Sequence, residues 1–312
     1  MRRALVTGGA GFIGSHLSER LIADGYRVVV VDDLSTGRFD NIAPLAATGA
    51  LEFVEADVVE PIAVPGSFDV VMHLASAASP ADYTRRPVET LLAGSAGTRH
   101  ALELAKETGA RMLFASSSEA YGDPLVHPQP EDYRGNVDPV GPRSSYDEAK
   151  RFGEALTTAF ASAHGVNAGI ARIFNTYGPR MRTSDGRAVP QFIAQALADA
   201  PLTVHGDGAQ TRSLCYVDDI VDGLVRLARS HVRVPVNLGG TDEITMLQLA
   251  QTIAAITGSV SPIVHADRPP DDPQVRRPDI GRARDLLDWA PTVPLDEGLR
   301  RTIDHARGRT DG

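Results

Sequence analysis

A glycine-rich turn near the start of the chain constrains the fold more than any other feature of the sequence. A short apolar segment leads into Gly8, Gly11 and Gly14, and an amphipathic segment follows at Ile13–Ala23. Three glycines at this spacing permit a tight turn, close approach of the backbone to a pyrophosphate, and close packing of a helix on a strand. The N-terminus of that helix would attract the anion through its free N–H groups and its dipole. The sequence therefore predicts a strand, a phosphate-binding turn and a helix.

An acidic residue after the next apolar segment completes this pattern. Asp32 follows Arg27–Val31 and lies 18 residues after Gly14. A carboxylate in this place can accept hydrogen bonds from the ribose hydroxyls of adenosine and would repel a 2′-phosphate. The pattern predicts a dinucleotide site and favours NAD over NADP. The expected cofactor contacts are Gly8, Gly11, Phe12, Ile13, Gly14, Asp32, Asp33, Asp57, Val58, Leu74, Ala75, Tyr146 and Lys150.

The first half of the chain alternates short apolar segments with amphipathic ones, which predicts a parallel, doubly wound α/β sheet covered on both faces. The predicted strands are Ala4–Thr7, Arg27–Val31, Leu51–Glu55, Val70–Leu74, Arg111–Ala115 and Asn167–Arg172. The predicted helices between them are Ile13–Ala23, Val88–Glu107 and Ser145–Ala163. Strand ends in such a sheet face a common crevice in which ligands bind.

The pattern becomes less regular after about residue 175, which predicts a smaller second domain interleaved with the first. We expect a dinucleotide domain over residues 1–175 and a mainly ligand-binding domain over 176–312, with a segment at about 214–238 returning to the first. The elements predicted here are helices at Val217–Ala228, Thr245–Thr257, Asp279–Trp289 and Leu295–Ala306, a strand at Val234–Asn237, and an ordered loop at Arg268–Pro278. Thr245 is a good N-cap residue for its helix.

Charge and composition exclude several classes of protein. The net charge of −9 over 312 residues argues against a nucleic-acid surface. The single cysteine excludes an internal disulfide and favours the cytoplasm. The sequence shows neither a signal-peptide core nor an apolar run of about 18 residues. Its nine histidines have no paired-ligand spacing. We therefore expect a soluble cytoplasmic protein without a metal site or a membrane partner.

A tyrosine and a lysine four residues apart point to chemistry. Lys150 is one of only two lysines, and it follows Tyr146 by one helical turn. On a helix the two side chains share one face. An ammonium beside a phenol favours the phenolate, which makes the tyrosine a usable base, and a lysine can also hold a ribose hydroxyl.

Polar residues follow the fifth predicted strand at the rim where ligands bind. Ser117 places a hydroxyl there, and Glu119 adds a carboxylate able to relay protons. With Tyr146 and Lys150, Ser117 completes the hydroxyl, phenol and ammonium set that hydride transfer at a secondary alcohol requires. His73, at the end of the fourth strand, is expected to be packed or hydrogen-bonded rather than catalytic.

Taken together, these motifs resemble those of the extended short-chain dehydrogenase/reductases that modify nucleotide sugars. The resemblance covers essentially the whole chain and is closest to the UDP-glucuronate decarboxylases, also called UDP-xylose synthases. Beyond the glycine turn, Asp32, Ser117 and the Tyr146/Lys150 pair, it lies in the segments at residues 118–124, 141–151, 172–181, 202–212 and 271–280. Of these, the arginine-bearing segment around Arg276 is the most selective.

The resemblance implies a Rossmann-type sheet and a redox-neutral, NAD-dependent conversion of UDP-glucuronate to UDP-xylose through a UDP-4-keto sugar. The catalytic residues that it implies are Ser117, Glu119, Tyr146, Lys150 and Arg276. The substrate contacts that it implies are Tyr83, Ser117, Glu119, Arg143, Asn175, Thr203, His205, Arg212 and Arg276. The helices at Val88–Glu107 and Ser145–Ala163 resemble those that form a four-helix homodimer contact.

This chain departs from the family pattern at three places, and alternative functions stay open. Gly94 stands where the family usually has Asn, Ser117 replaces the usual Thr, and the segment at residues 75–80 varies. The nearest alternative is 4-epimerisation of UDP-glucuronate or another nucleotide sugar. A 4,6-dehydratase is disfavoured because Ser118, not a second acid, precedes Glu119. A non-catalytic NAD sensor would be expected to lack the Tyr146/Lys150 pair.

Overall fold

The computed structural model describes residues 2–267 and 274–310, and within them the predicted doubly wound parallel sheet is confirmed. The strands are β1 Arg2–Thr7, β2 Tyr26–Asp32, β3 Leu51–Glu55, β4 Val70–His73, β5 Arg111–Ser117, β6 Ala168–Ile173, β7 Thr176–Tyr177, β8 Leu202–His205, β9 Thr211–Ser213, β10 Cys215–Tyr216, β11 Pro235–Leu238, β12 Glu243–Thr245 and β13 Ile263–Ala266. The described residues form a seven-stranded sheet in the order β11-β6-β5-β4-β1-β2-β3, and its strands are parallel.

Helices connect the strands and cover both faces of this sheet. They are α1 Phe12–Ala23, α2 Ala43–Ala47, α3 Pro80–Arg85, α4 Pro87–Leu92, α5 Thr98–Thr108, α6 Ser144–His164, α7 Ala188–Leu197, α8 Val217–Arg229, α9 Met246–Thr257, α10 Gly281–Leu287 and α11 Leu295–Thr310. Short 3₁₀ segments lie at Phe39–Asn41, Ser118–Tyr121 and Thr183–Asp185, and a π-helical turn at Ala93–Gly97 joins α4 to α5.

Alternate residues along each central strand enter two separate apolar cores. Val6 and Val30 pack on the face covered by α1 and α8, whereas Leu5 and Val29 pack on the opposite face. Successive side chains of a strand point to opposite faces, and a sheet buried on both faces therefore needs continuous apolar runs. The run of four valines in β2 meets this requirement.

The order of the strands sets the position of the ligand crevice. β1 lies between β2 and β4, so β2 and β3 are added on one side of β1 and the following strands of the sheet on the other side. In open α/β sheets, the crevice outside the carboxyl ends of the strands at such a point is where ligands bind. The residues that follow β1, β2, β4 and β5 all line one crevice of about 510 Å³.

The second half of the chain builds small sheets beside this crevice and returns to the central one. β8 pairs with β13, β9 pairs with β12, and β7 pairs with β10. β11 then pairs with β6 in the central sheet.

Several predicted elements differ from the observed ones in extent. The predicted helix at Val88–Glu107 is interrupted by the π-helical turn. The predicted helix at Asp279–Trp289 is limited to α10. The backbone nitrogen of its first residue, Gly281, donates to the Asp279 side chain, and Asp288, just after its last residue, has a left-handed backbone conformation. Short α3 and α7 were not predicted. Of the loop predicted at Arg268–Pro278, residues 268–273 lie outside the described part of the chain.

Candidate active site

The glycine turn is closely packed, and two of its glycines cannot be replaced without a clash. Gly8 has φ +70°, and a Cβ there would lie 2.7 Å from the Ala75 nitrogen. A Cβ on Gly14 would lie 2.1 Å from the Gly8 carbonyl oxygen. The Ser15 nitrogen donates to the Gly11 carbonyl at 3.0 Å, which closes the first turn of α1. The bare backbone therefore forms the floor of the crevice beside the helix N-terminus.

Asp32 lies at the end of β2 with its carboxylate held by backbone groups. Oδ2 accepts from the Ala10 nitrogen at 3.0 Å and Oδ1 accepts from the Leu34 nitrogen at 2.9 Å. Burial raises the pKa of Asp32 above its ordinary value, although both hydrogen bonds oppose the shift. Each oxygen keeps further lone pairs. The carboxylate is thus fixed on the crevice wall and still able to accept from a ligand hydroxyl.

Tyr146, Lys150 and Ser117 meet at the carboxyl end of β5. The Ser117 hydroxyl lies close enough to the Tyr146 phenol to lower the pKa of that phenol. Lys150 Nζ donates to the Ala115 carbonyl at 2.9 Å and lies 5.4 Å from the centroid of the Tyr146 ring. The one-turn spacing predicted for the pair is observed, because both residues lie on α6.

The protonation behaviour of this group differs from the expectation that lysine favours the phenolate. Burial raises the pKa of Tyr146, and the nearby Ser117 hydroxyl opposes the shift only in part. Burial also lowers the pKa of Lys150 to about 8. Both shifts have one physical cause, since burial disfavours whichever form is charged. The phenol is therefore protonated at neutral pH in this structure.

A second tyrosine packs flat against the first. The rings of Tyr83 and Tyr146 are 5.3 Å apart at their centroids and 12° from parallel. Tyr83 lies on α3, where Ser79 caps the helix and its hydroxyl donates to Asp82 at 2.6 Å. Arg182 forms an ion pair with the same Asp82. The ring pair is therefore anchored from outside the central sheet.

Glu119 lies between two arginines in the crevice that Tyr146 also lines. Its Oε2 is 2.6 Å from Arg143 Nη2, and its Oε1 is 3.1 Å from Arg276 Nη1. Burial opposes ionisation, yet the charges of Arg276, Arg143 and Arg212 outweigh it and hold the pKa of Glu119 below its ordinary value. Glu119 is therefore a carboxylate at neutral pH.

Arg276 is 2% exposed, and protein groups surround its guanidinium. Nη1 donates to Ser118 Oγ at 3.1 Å, and Nη2 donates to the Gly122 carbonyl at 3.0 Å. With Glu119, these partners fix its plane. These contacts join the 3₁₀ turn that follows β5 to a segment much later in the chain, since Arg276 and Ser118 are 158 residues apart.

The other residues expected to contact the substrate line the same crevice. Thr203 and His205 both lie on β8, and the Thr203 backbone nitrogen donates to Gln195 at 3.0 Å. Arg212, on β9, donates to its neighbour's carbonyl at 2.8 Å. The expected cofactor residues and the expected substrate residues, including Asn175, all line this one crevice.

Several polar residues of the site had no sequence prediction. Ser118 accepts from Arg276, and Asp82 pairs with Arg182. Arg187 Nη2 donates to Asp185 Oδ2 at 2.7 Å, and its charge acts on Tyr146. The segment at residues 177–190 is rich in arginine, glycine and proline, but its composition does not indicate that it folds near the tyrosine, because that depends on contacts with distant parts of the chain.

Comparison with known proteins identifies the family. A model of the NAD dependent epimerase/dehydratase family matches residues 4–239. The chain is 50% identical over 304 residues to UDP-glucuronic acid decarboxylase 1 of Danio rerio, which covers 97% of this chain and 72% of that protein. It is 48% identical over 307 residues to UDP-glucuronic acid decarboxylase 1 of Arabidopsis thaliana, covering 98% of this chain and 70% of that protein.

Solved structures agree with this relationship. UDP-glucose 4-epimerase of Thermotoga maritima superposes with a TM-score of 0.91 at 31% identity, covering 99% of both chains. UDP-glucuronic acid 4-epimerase of Bacillus cereus, solved with UDP-glucuronic acid and NAD, superposes with a TM-score of 0.88 at 29% identity, covering 98% of this chain and 99% of that one. The resemblance drawn from the motifs is thus confirmed: this chain belongs to the NAD dependent epimerase/dehydratase family, within the extended short-chain dehydrogenase/reductases.

Proposed function

We propose that this protein is an NAD-dependent UDP-glucuronate decarboxylase that releases CO₂ and forms UDP-xylose through a UDP-4-keto sugar. The observation that carries the proposal is Glu119, held between Arg143 and Arg276 in the crevice that Tyr146 and Ser117 also line. The curated relatives named UDP-glucuronic acid decarboxylase, at 48–50% identity over nearly the whole chain, support the same reaction.

The residues at the glycine turn fit NAD. Gly8 and Gly14 leave a backbone cradle that a Cβ would fill, and Asp32 is a fixed acceptor for ribose hydroxyls. The family description and the NAD-containing epimerase structure support the same cofactor. When bound, NAD would supply a reversible hydride acceptor for C4 of the sugar, so the reaction would be redox-neutral overall.

The tyrosine group would handle the proton of the C4 hydroxyl. Ser117 and Tyr146 would hold that hydroxyl between them, and the phenolic oxygen of Tyr146 would accept its proton. For this, the phenol must first lose its own proton, although burial favours the neutral form. Lys150, with a pKa of about 8, would hold the cofactor ribose and favour the phenolate by its charge.

The arginine and glutamate group would serve the decarboxylation. Once C4 is a ketone, the C5–C6 bond can break, because its electron pair passes to the C4 oxygen as an enolate while C6 leaves as CO₂. Arg276 and Ser118 would stabilise negative charge at this stage. Glu119, a carboxylate at neutral pH, would have to take up a proton from solvent and pass it to C5, which forms the new C5–H bond and restores the ketone. Tyr83, Arg143, Asn175, Thr203, His205 and Arg212 would hold the nucleotide sugar.

A 4-epimerase is the second candidate, because epimerases of related structure share the fold and the Tyr-Lys chemistry. Epimerisation requires the keto sugar to turn over before reduction and makes no use of an acid held by arginines. A non-catalytic NAD sensor would have no need for a tyrosine beside the Ser117 hydroxyl. Contacts around Glu119 therefore favour decarboxylation over both.

Product analysis tests the proposal directly. The protein would be incubated with UDP-glucuronate and NAD, followed by measurement of CO₂ and separation of nucleotide sugars. UDP-xylose with an equal amount of CO₂ is expected, without net consumption of NAD. UDP-galacturonate without CO₂ would establish the epimerase, and unchanged substrate would contradict both enzymes. Other nucleotide uronates in parallel would define the preferred base and sugar.

The domain division, the homodimer and the cytoplasmic location are also proposals. Val88, Leu91 and Leu92 on α4 and Phe152 on α6 expose apolar side chains, which supports contact with a second copy through these helices. Sedimentation of the protein and of a Leu91→Arg variant would test the dimer. Among the described helices, none has the length and apolar character needed to cross a bilayer.

A further inference from the structure

Arg86 lines the crevice but has no role in the proposed mechanism. It is the residue between α3 and α4, and Thr90 and Ala93 line the crevice with it. These three residues are spaced by four and three positions, so they lie on one face of the helical chain. The opposite face of α4 exposes Val88, Leu91 and Leu92. The inner face of α4 therefore directs Arg86 toward the ligands.

The backbone of Arg86 is fixed on both sides. Its nitrogen donates to the Asp82 carbonyl at 3.0 Å, and its carbonyl accepts from the Thr90 nitrogen at 3.0 Å. The Thr90 hydroxyl donates to the same carbonyl at 2.7 Å, and Thr90 is buried. The Arg86 side chain therefore starts from a rigid base, and only its own torsions remain free.

The guanidinium of Arg86 forms no ion pair or hydrogen bond with residues 2–267 and 274–310, although the residue is partly buried. Glu89 also lines the crevice, but it is exposed and forms no ion pair with Arg86 in the described part of the chain. Charged side chains that lose contact with water normally have a partner of opposite charge. The unpaired guanidinium of Arg86 therefore calls for an anion from outside the protein.

Five other arginines of the crevice are already paired with carboxylates of the protein. Arg143 and Arg276 share Glu119, Arg180 pairs with Glu19, Arg182 with Asp82, and Arg187 with Asp185. A paired guanidinium attracts a ligand anion less strongly, because its own carboxylate repels that anion. Arg86 is distinguished from these five by a charge that the described residues leave unbalanced.

The stacked tyrosines place Arg86 beside the nucleotide sugar. Tyr83, three residues before Arg86, stacks on Tyr146 with a centroid distance of 5.3 Å. Residues three apart on a helix have Cβ atoms about 5–6 Å apart. In the proposed reaction the C4 hydroxyl reaches Tyr146, so the pyranose ring and the diphosphate on its C1 would extend along the crevice that Arg86 lines.

We propose that Arg86 is a further substrate-binding residue, whose guanidinium binds the diphosphate of the nucleotide sugar. This inference rests on the proposed function, which supplies the ligand. A guanidinium binds paired phosphate oxygens in a bidentate way. The C6 carboxylate is the less suitable partner, because an unbalanced cation there would stabilise the charge that must leave as CO₂. The diphosphate keeps its charge throughout the reaction, so Arg86 can hold it without opposing any step.

The test is calorimetric titration of NAD-loaded protein with UDP-glucuronate and with UDP-glucose, which has the same diphosphate and no carboxylate. The Tyr146→Phe background prevents turnover during the titration. We expect Arg86→Met to weaken the binding of both ligands by roughly 10- to 100-fold, the range for loss of a hydrogen bond to a charged group. The matched control is Arg85→Met, at an adjacent, exposed arginine that pairs with Asp82 at 3.5 Å. It should change neither affinity.

Steady-state kinetics without the Tyr146→Phe background separate binding from a structural defect. Arg86→Met should raise the KM for UDP-glucuronate by a similar factor and keep kcat close to that of wild type, because loss of uniform binding changes KM alone. Arg86→Lys keeps the charge without the bidentate fork and should recover part of the affinity. If Arg86→Met does not fold, Arg86→Gln takes its place in both measurements.

The outcomes are distinguishable. Unchanged affinity of the Arg86 variants for both ligands would overturn the proposal. A loss confined to UDP-glucuronate would also overturn it, because Arg86 would then bind the carboxylate. Wild-type protein that releases no CO₂ would overturn the decarboxylation, whereas the two titrations would still decide whether Arg86 binds the diphosphate.

Discussion

The two halves of the crevice are built by different means. On the cofactor side, Gly8, Gly14 and Asp32 act through backbone geometry over a short stretch of chain. On the sugar side, Glu119 is held by Arg143 and Arg276, which come from distant parts of the sequence. An atom added to the backbone cradle would clash with neighbouring backbone, whereas removal of one charge from the cluster would leave an opposite charge buried without its partner. Substitutions should therefore fail for steric reasons on one side and electrostatic reasons on the other.

The largest effect is expected where the two halves meet, at Tyr146. Tyr146→Phe keeps the ring stacked on Tyr83 and removes the oxygen that accepts the C4 proton. We expect kcat to fall by about 10²–10⁴-fold, the range for loss of a general base. Rapid-mixing absorbance should show that reduction of bound NAD is lost, while Tyr26→Phe, far from the crevice, should be unaffected. Unimpaired reduction in Tyr146→Phe would remove the tyrosine from the mechanism.

Arg276→Ala should sharpen the electrostatic half of the comparison. It leaves Glu119 buried with one guanidinium fewer and Ser118 without its donor. We expect CO₂ release to slow by about 10²–10³-fold, as when one oxyanion donor is lost, with a smaller change in nucleotide binding. The control is Arg277→Ala, at the adjacent and more exposed arginine. Wild-type turnover in Arg276→Ala would show that its charge is dispensable.

Gly14→Ala tests the steric half. The added Cβ would meet the Gly8 carbonyl oxygen at 2.1 Å and the Gly9 Cα at 2.8 Å. Overpacking of this kind costs about 1–3 kcal/mol of unfolding free energy. Calorimetric titration should also show weaker NAD binding. Gly308→Ala, where nothing lies within 4 Å, should leave both quantities unchanged. If Gly14→Ala bound NAD normally, the cradle would not be steric in origin.

The smallest effect is a pH dependence of stability on the sugar side. The pKa of Asp147 in the folded state is about 7, above its ordinary 3.8. Between these two pH values, the folded state therefore binds more protons than the unfolded state. The contribution of Asp147 to stability is therefore present at low pH and is lost as pH rises through about 7.

Asp147→Asn should flatten this loss of stability between acid and neutral pH. Urea unfolding at several pH values would measure it, with Glu148→Gln as the control. Glu119, with its lowered pKa, acts in the opposite direction and loses its contribution on acidification. An unchanged pH slope in Asp147→Asn would indicate that another group dominates.

The same contrast explains what sequence reasoning reached. The turn, the central strands and the Tyr146–Lys150 pair follow from local spacing, and β1 to β6 lie within a few residues of their predicted bounds. The partners of Glu119 were named through family resemblance, since nothing local to Arg276 indicates that it folds against Ser118. The pKa of Tyr146 was expected to fall and instead rises, because burial depends on the whole fold.

The interruption of the long predicted helix has a similar origin. A Cβ on Gly94 would lie 2.6 Å from the Ala149 Cβ, so only glycine fits where α6 crosses the π-helical turn. Asn, which the family usually has here, would meet Ala149 at once. The apolar periodicity of a sequence does not predict such a crossing, because it indicates which face of a helix is buried and not how closely the neighbouring backbone approaches.

The stacked rings of Tyr83 and Tyr146 have a mechanical consequence. Because the Tyr146 ring is stacked on a second ring, its rotation is restricted and its phenolic oxygen is held in one direction. The ring that restrains it belongs to α3, which Ser79, Asp82 and Arg182 secure. The orientation of the proposed catalytic base therefore depends on a six-residue helix. A substitution at Arg182 that removes its ion pair with Asp82 would make the orientation of the phenol less precise without altering any reacting atom.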